Sequence, residues 1–190
     1  MIGGLVLAAG AGKRFGGVKQ LAPFRGRPLL EHALAAMEAA PVDRVVVVLG
    51  AHADEVEAAV PMHGAESVVA ADWREGMSAS LRAGIEALAD CEAVVVTLAD
   101  QPLLSPGAIA RVVQARGGAD AARATYEGVP GHPVLFHRAL FERLRALAGD
   151  QGAAAVLRHV PVKEVTYDGL GSPVDVDTRA GLAVLARHNT

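Results

Sequence analysis

A glycine-rich segment that carries three cations is the clearest chemical feature of this sequence. Residues 8–20 read AAGAGKRFGGVKQ and include Gly10, Gly12, Gly16 and Gly17 beside Lys13, Arg14 and Lys19. Glycine lets backbone N–H groups turn toward an anion, and nearby cations neutralise a polyphosphate. Because the segment directly follows an apolar run, it favours a phosphate-binding loop over a flexible turn with solvated cations.

Two well-known phosphate-binding motifs do not fit this segment. A Walker A loop requires GxxxxGK[ST], but Gly12 is preceded by Leu7 at the fifth position, and Arg14 replaces the Ser or Thr. A dinucleotide-binding loop requires GxGxxG, and Phe15 stands where the third glycine belongs. The second predicted strand also ends at Gly50 rather than at an acid that would hold a ribose. NAD binding is therefore not expected.

Carboxylates that could hold a metal follow two other segments. Asp100, in LADQP, comes directly after an apolar run, and Mg²⁺ prefers one or two carboxylates together with phosphate oxygens and water. Asp175 and Asp177, in DVDT, face the same side if that segment is extended. One of these two acids could be a second metal ligand while the other caps the following helix. The alternatives are a turn role for Asp100 and helix capping alone for the other two.

A further polar segment, DWREGMSASL, follows a weaker predicted strand. Gly76 would allow a ligand to approach closely, while Ser78 and Ser80 offer hydroxyls at a helix N-terminus. Trp73 is the only tryptophan of the chain, and it either stacks on an aromatic ring of a ligand or packs beneath the loop.

The elements that position these residues alternate between strands and helices. Strands are predicted at 2–7, 44–49 and 93–98, and less strongly at 66–70, 121–126, 133–136 and 163–167. Helices are predicted at 28–40, 54–60, 78–89, 105–115, 138–148, 151–159 and from Asp177 or Thr178 to about His188. The strong strands do not alternate polar and apolar residues, which is typical of strands covered on both faces. The pattern predicts an α/β, doubly wound, mostly parallel sheet, whose ligands bind at the carboxyl ends of the strands.

Composition excludes several other classes of protein. The 190 residues contain a single cysteine, so an internal disulfide and a CxxC metal site are impossible, and Cys91 is expected to be an inert core residue. The net charge of −3 argues against a protein that coats nucleic acid. No apolar run reaches the roughly 18 residues of a membrane helix. No basic segment precedes the first apolar run, so we expect one cytoplasmic domain over residues 1–190.

Six motifs, in order, carry a resemblance to a known family. LAAGAGKRFGGVKQL is similar to the signature LAAGxSxRFGxxKxL, and it is followed by GMSASL, LADQP, GHPVLF, GDQGA and DVDT. Together these motifs resemble the molybdenum cofactor (molybdopterin) cytidylyltransferases, a branch of the molybdopterin nucleotidyltransferase-like NTP transferases. The resemblance implies a Rossmann-like fold of the nucleotide-diphospho-sugar transferase type. It also implies transfer of CMP from CTP to the phosphate of molybdopterin, with release of pyrophosphate and with Mg²⁺ as cofactor.

The same resemblance assigns roles to individual residues. Arg14, Lys19 and Asp100 are the implied catalytic residues. Asp100 would hold the metal together with Asp177, which the resemblance favours, or with Asp175. Nucleotide contacts are implied for Leu7, Ala8, Ala9, Gly10, Gly12, Lys13, Arg14, Gly16, Lys19, Gly76, Met77 and Ser78. Acceptor contacts are implied for Trp73, Ser80, Gln101, Gly131, His132 and Pro133.

The identity of the base and of the acceptor leaves alternatives open. Guanylyl-transferring relatives commonly read LAGG where this chain has LAAG, and a methyl group at Ala9 would leave less room for a purine. CTP is therefore preferred over GTP. Two other hypotheses remain open. The acceptor could be a sugar phosphate, or the protein could be a non-catalytic chaperone that inserts the molybdenum cofactor. A molybdoenzyme is a possible recipient of the product.

Overall fold

Nine strands form the framework of the computed structural model, which describes residues 1–168 and 171–188. The strands are β1 (Ile2–Leu7), β2 (Pro23–Phe24), β3 (Arg27–Pro28), β4 (Arg44–Leu49), β5 (Glu66–Val69), β6 (Ala93–Leu98), β7 (Ala121–Tyr126), β8 (Val129–His137) and β9 (Val162–Thr166). Seven of them make one sheet in the order β5-β4-β1-β6-β8-β7-β9, and β2 pairs with β3 separately.

Seven α-helices among the described residues surround this sheet. They are α1 (Leu29–Glu38), α2 (Ala53–Ala59), α3 (Met77–Ala87), α4 (Pro106–Gln114), α5 (Phe141–Arg145), α6 (Ala154–Leu157) and α7 (Arg179–His188). Short 3₁₀ turns cover Lys19–Leu21, Trp73–Glu75 and Arg138–Leu140. Residues of α1, α2 and α4 join one apolar cluster, and residues of α3, α5 and α6 join a second cluster. None of the helices described is long and apolar enough to span a bilayer.

The parallel part of the sheet confirms the strongest sequence predictions. Strands β1, β4, β5 and β6 run parallel, with Leu5 of β1 paired to Val46 on one side and Val96 on the other. All three side chains are fully buried because helices cover both faces. The bounds of β1, β4 and β6 coincide with the predicted runs. The α/β, doubly wound, mostly parallel sheet is therefore confirmed.

One hairpin interrupts the parallel order. Strand β8 runs antiparallel to both β6 and β7, while β7 is parallel to β9. The turn between β7 and β8 contains Glu127 and Gly128, whose φ values are 51° and 78°. Positive φ at both central residues is the requirement of a type I′ hairpin turn. This reversal brings the first residues of β8 to the edge of the sheet where β1 and β6 end.

Helix ends differ from the predictions by a few residues, for identifiable reasons. The Ser105 hydroxyl accepts from the Gly107 N–H at 3.1 Å and caps α4, as predicted. Thr178, and not Asp177, caps α7, since its hydroxyl accepts from the Gly181 N–H at 3.0 Å. Pro28 precedes α1 instead of opening it. The two predicted helices at 138–148 and 151–159 are reduced to the single turns of α5 and α6.

Candidate active site

The loop that follows β1 folds back on Gly12. The Gly12 carbonyl accepts hydrogen bonds from the N–H groups of Phe15, at 3.0 Å, and Gly16, at 2.9 Å. Gly12 has a φ of +64°, and a Cβ atom built on it would lie 2.1 Å from the Gly17 carbonyl oxygen. Gly10, by contrast, faces open space. The loop therefore closes only with glycine at position 12, and it leaves its Gly10 side free for a ligand.

A buried glutamine fixes the same loop from below. The Gln20 amide donates to the carbonyl of Ala8 at 2.5 Å and to that of Gly10 at 2.9 Å. Gln20 is buried in the 3₁₀ turn Lys19–Leu21, so its amide replaces water that these carbonyls would otherwise bind. Gln20 was not predicted from the sequence. The only available signal was a polar residue placed directly after the glycine-rich segment.

Lys19 lies between two carboxylates from distant parts of the chain. Its Nζ is 2.6 Å from Oδ2 of Asp100 and 3.9 Å from Oδ1 of Asp177. The Arg14 guanidinium contacts both carboxylate oxygens of Asp177 at 3.1 Å. The Lys19 and Asp100 side chains are only 20% and 19% exposed, so solvent screens this pair less than it screens Arg14 and Asp177.

The segment that carries Asp177 is held against the end of β6. The Val176 N–H donates to the Asp100 carbonyl at 2.9 Å. The Gln101 amide donates to the Asp175 carboxylate at 2.7 Å and to the Pro173 carbonyl at 3.2 Å. Burial raises the pKa of Asp175, the Gln101 hydrogen bond opposes that shift, and the nearby negative charges add to it. Asp175 and Gln101 thus anchor the segment, while Asp177 faces the cations.

A cavity of about 830 Å³ opens above these charged residues. It is lined by Leu7, Ala8, Ala9, Gly10, Ala11, Gly12, Lys13, Arg14, Phe15, Lys19, Gln20, Trp73, Arg74, Gly76, Met77, Ser80, Leu98, Ala99, Asp100, Asp150 and Asp177. The Arg74 guanidinium stacks on the Trp73 ring at 4.4 Å. The volume is in the range of small-molecule sites, so the cavity has room for a nucleotide.

The far wall of the cavity is formed by two segments packed on each other. Gly76 has a φ of +117°, and a Cβ on it would lie 2.3 Å from Oδ1 of Asp150 and 2.6 Å from the Gly149 carbonyl oxygen. The Ser78 N–H donates to that carbonyl at 3.2 Å. The GMSASL and GDQGA motifs therefore meet because position 76 lacks a side chain.

Several of the predicted site residues do not line this cavity. They are Gly16, Ser78, Gln101, Gly131, His132, Pro133 and Asp175. Ser78 is fully buried, and its hydroxyl accepts from Arg82. The Gln101 NH₂ group bonds to Asp175 and Pro173, while its Oε1 is buried without a hydrogen-bond partner among the described residues, and its contact with an acceptor stays a prediction. The other predicted nucleotide, acceptor and metal residues do line the cavity.

The GHPVLF motif lies at the beginning of β8. The His132–Pro133 peptide is cis, and the Tyr126 hydroxyl donates to the His132 carbonyl at 2.8 Å. Burial lowers the pKa of His132 to about 4, although the negative charge of Asp100 acts in the opposite direction. His132 is therefore neutral at physiological pH, which excludes a permanent cation at this position.

The low pKa of His132 predicts a dependence of stability on pH. Because the folded value of about 4 lies below the ordinary 6.5, folding disfavours the charged ring. The resulting stability is complete above 6.5 and is lost as the pH falls toward 4. Between about pH 7 and about pH 5, the unfolding free energy should fall by about 2 kcal/mol through this group. Urea titrations at the two pH values should show a smaller decrease in the unfolding free energy for His132→Gln than for the wild type; an equal decrease in both proteins would contradict the prediction.

Comparisons with known proteins place this site in context. A model of the MobA-like NTP transferase domain matches residues 4–165. Nicotine blue oxidoreductase of Paenarthrobacter nicotinovorans is 36% identical over 186 residues, which cover 92% of this chain and 91% of the relative. The crystal structure of Rv0371c from Mycobacterium tuberculosis H37Rv has a TM-score of 0.90 at 33% identity and covers 98% of both chains.

A second structure of Rv0371c, in complex with manganese, has a TM-score of 0.86 at 31% identity and again covers 98% of both chains. These neighbours agree with the expected nucleotide-diphospho-sugar transferase type of fold. The matched domain ends before Asp177, so that carboxylate lies beyond the residues that the domain model covers.

Proposed function

Since the chain belongs to the family of MobA-like NTP transferase domains, we propose that it transfers CMP from CTP to the terminal phosphate of molybdopterin. Pyrophosphate is the leaving group, and the product is a cytosine dinucleotide form of the cofactor, which a molybdoenzyme would receive. One observation carries the proposal: Lys19 and Arg14 meet Asp100 and Asp177 beside the open Gly10 side of the loop.

Positioning and charge neutralisation account for the chemistry in this proposal. An already ionised acceptor phosphate attacks the α-phosphorus in line, so no general base is required. Lys13 and Arg14 hold the β- and γ-phosphates, and Lys19 neutralises charge that develops at the α-phosphate. Lys13 is exposed on the loop, whereas Lys19 is held deeper, at the carboxylates. The loop therefore presents cations at two depths, as a bound triphosphate requires.

The carboxylates of the site fit a divalent cation. Oδ1 of Asp100 is buried and has no hydrogen-bond partner among the described residues, and Asp177 supplies a second carboxylate nearby. Residues 1–168 and 171–188 contain no group of three His, Cys, Asp or Glu side chains that would hold a metal without help. Phosphate oxygens and water would complete the coordination, as is usual for Mg²⁺. Bound by Asp100 and Asp177, Mg²⁺ would supply charge neutralisation at the phosphate oxygens.

The choice of base is supported by the packing of Ala9. Ala9 lines the cavity, and its Cβ lies only 2.9 Å from the position that a Cβ on Gly50 would take. Ala9 is 6% exposed and packs in an apolar cluster, and the backbone fixes the position of its methyl group. A methyl fixed at this wall favours a pyrimidine over a larger purine.

Ala9→Gly is therefore expected to increase the use of GTP relative to CTP. One methyl group in a binding site changes selectivity by about tenfold, so kcat/KM for GTP over kcat/KM for CTP should rise by about that factor. Ala11→Gly removes a methyl from the same loop and should leave the ratio unchanged. An unchanged ratio in Ala9→Gly would show that this methyl does not select the base.

The activity itself is tested by incubating the protein with labelled CTP, Mg²⁺ and molybdopterin, then identifying the product by mass. We expect a cytosine dinucleotide and one pyrophosphate per product. Pyrophosphate release with GTP but not with CTP would overturn the choice of base. Release of pyrophosphate with a sugar phosphate, but not with molybdopterin, would overturn the choice of acceptor.

A second candidate function is reduction of an aromatic substrate. It is favoured by the identity with nicotine blue oxidoreductase, which extends over nearly the whole chain. Phe15 at the third glycine position of the dinucleotide motif stands against it. Oxidation of NADH or NADPH with an aromatic acceptor, in a preparation that releases no pyrophosphate from CTP or GTP, would establish this function in place of nucleotidyl transfer.

A further inference from the structure

We propose that Lys19 occupies the two metal-binding carboxylates until a nucleotide arrives, so that nucleotide and divalent cation bind cooperatively. This inference rests on the proposed function, because it assumes that Asp100 and Asp177 hold the metal. It adds a role for Lys19 before the reaction begins. Its ammonium group lies between the two carboxylates that would bind a divalent cation.

The contacts of Lys19 carry this inference. Its Nζ lies 2.6 Å from Asp100 and 3.9 Å from Asp177, so one ammonium group serves both carboxylates. Arg14 neutralises Asp177 from the other direction. A divalent cation is attracted less strongly to Asp100 and Asp177, because their charges are already neutralised by Lys19 and Arg14. It is also repelled by the ammonium group of Lys19. The free protein should therefore bind such a cation weakly.

A nucleotide removes this obstacle because it offers Lys19 other oxygens. Lys19 begins the 3₁₀ turn at the end of the glycine-rich loop, and its four-carbon stem is flexible. When an α-phosphate lies over the loop, the ammonium group can pair with that phosphate and release Asp100. Thermodynamic linkage requires the reciprocal effect, so that metal binding also increases the affinity for the nucleotide.

The first test measures Mn²⁺ binding to the nucleotide-free protein by electron paramagnetic resonance. Lys19→Gln should bind Mn²⁺ about tenfold more tightly than the wild type, since a nearby like charge is removed. Lys13→Gln removes an equal charge from an exposed position of the same loop and should change the affinity by less than about twofold. Lys19→Arg keeps the cation and should behave as the wild type.

The Mn²⁺ affinities of these variants can contradict the proposal in several ways. Unchanged or weaker Mn²⁺ binding in Lys19→Gln overturns the proposal, and so does an equal gain in Lys13→Gln. The tighter Mn²⁺ binding must also vanish when Lys19→Gln is combined with Asp100→Asn. If it persists, the ion binds away from Asp100 and the proposal is overturned. Should the loss of Lys19 destabilise the fold, the rise in melting temperature on adding Mn²⁺ gives the same comparison, and it should be larger for Lys19→Gln than for the wild type.

A second test uses a non-hydrolysable CTP analogue in the presence of EDTA. Asp100→Asn frees Lys19, so the metal-free protein should bind the analogue several-fold more tightly. Asp150→Asn removes a cavity carboxylate that has no described contact with Lys19, and it controls for the general loss of negative charge. In a Lys19→Gln background the gain from Asp100→Asn should disappear. A gain that is equal for Asp100→Asn and Asp150→Asn, or one that survives without Lys19, overturns the proposal.

These measurements do not depend on turnover. A protein that fails to transfer CMP but shows the Lys19-dependent Mn²⁺ binding would contradict the proposed reaction and support this inference. A protein that transfers CMP, with Lys19→Gln binding Mn²⁺ as the wild type does, would support the reaction and contradict the inference.

Discussion

Asp100→Ala is expected to reduce pyrophosphate release by about a thousandfold or more, because charge at the transferring phosphoryl group is then no longer neutralised. Asp100 also pairs with Lys19 at 2.6 Å, so its removal disturbs the position of both charges. The fold should persist, since the main-chain contact between Asp100 and Val176 does not involve the carboxylate.

The measurement is kcat/KM for CTP, together with a thermal unfolding curve for each protein. Asp54→Asn serves as the matched control because Asp54 is an exposed carboxylate on α2, away from the cavity. It should leave the rate unchanged. Undiminished activity in Asp100→Ala would rule out this carboxylate as a metal ligand.

Gly12→Ala is expected to weaken nucleotide binding by about a hundredfold or more, since a clash of this kind costs several kcal/mol unless the loop moves. The new Cβ would lie 2.1 Å from the Gly17 carbonyl oxygen, and its nearest neighbours are backbone atoms that cannot rotate away. The loop would have to open, which separates the N–H groups that Gly12 now brings together.

Gly16→Ala provides the matched control for this loop. Gly16 has a φ of +75° but faces open space, so alanine there adds only the cost of a left-handed conformation, about 1 kcal/mol. Titration with a fluorescent CTP analogue should show a loss several-fold at most for Gly16→Ala and a far larger one for Gly12→Ala. Equal losses would mean that φ, rather than the contact with Gly17, determines the conformation of the loop.

The parallel half of the fold was predictable because its strands are buried on both faces. After Arg44, the run RVVVVL contains only apolar residues, so most of β4 follows from composition. The antiparallel position of β8 was not predicted, because it depends on the turn at Glu127 and Gly128. Whether β8 pairs with β6 is decided by contacts far along the chain, which periodicity does not report.

The candidate site was predictable in residue type more than in arrangement. Lys19 and Asp100 were identified separately, but their contact joins residues 81 positions apart, and only the sheet topology brings them together. Gln101 is predicted to contact an acceptor, and the structure adds a bond from its NH₂ group to Asp175 that the sequence did not indicate. A sequence shows which side chains have hydrogen-bonding capacity. It does not show which of them already use that capacity within the chain.

The order in which the residues of the candidate site are synthesised determines when the site can be complete. The glycine-rich loop and Lys19 are synthesised first, Asp100 follows after most of the sheet, and Asp177 arrives only with the segment before α7. The second carboxylate then docks through the contact of Val176 with the end of β6. The glycine-rich loop therefore exists in the chain well before the proposed site is complete, because the site also needs the segment before α7 to dock on the end of β6.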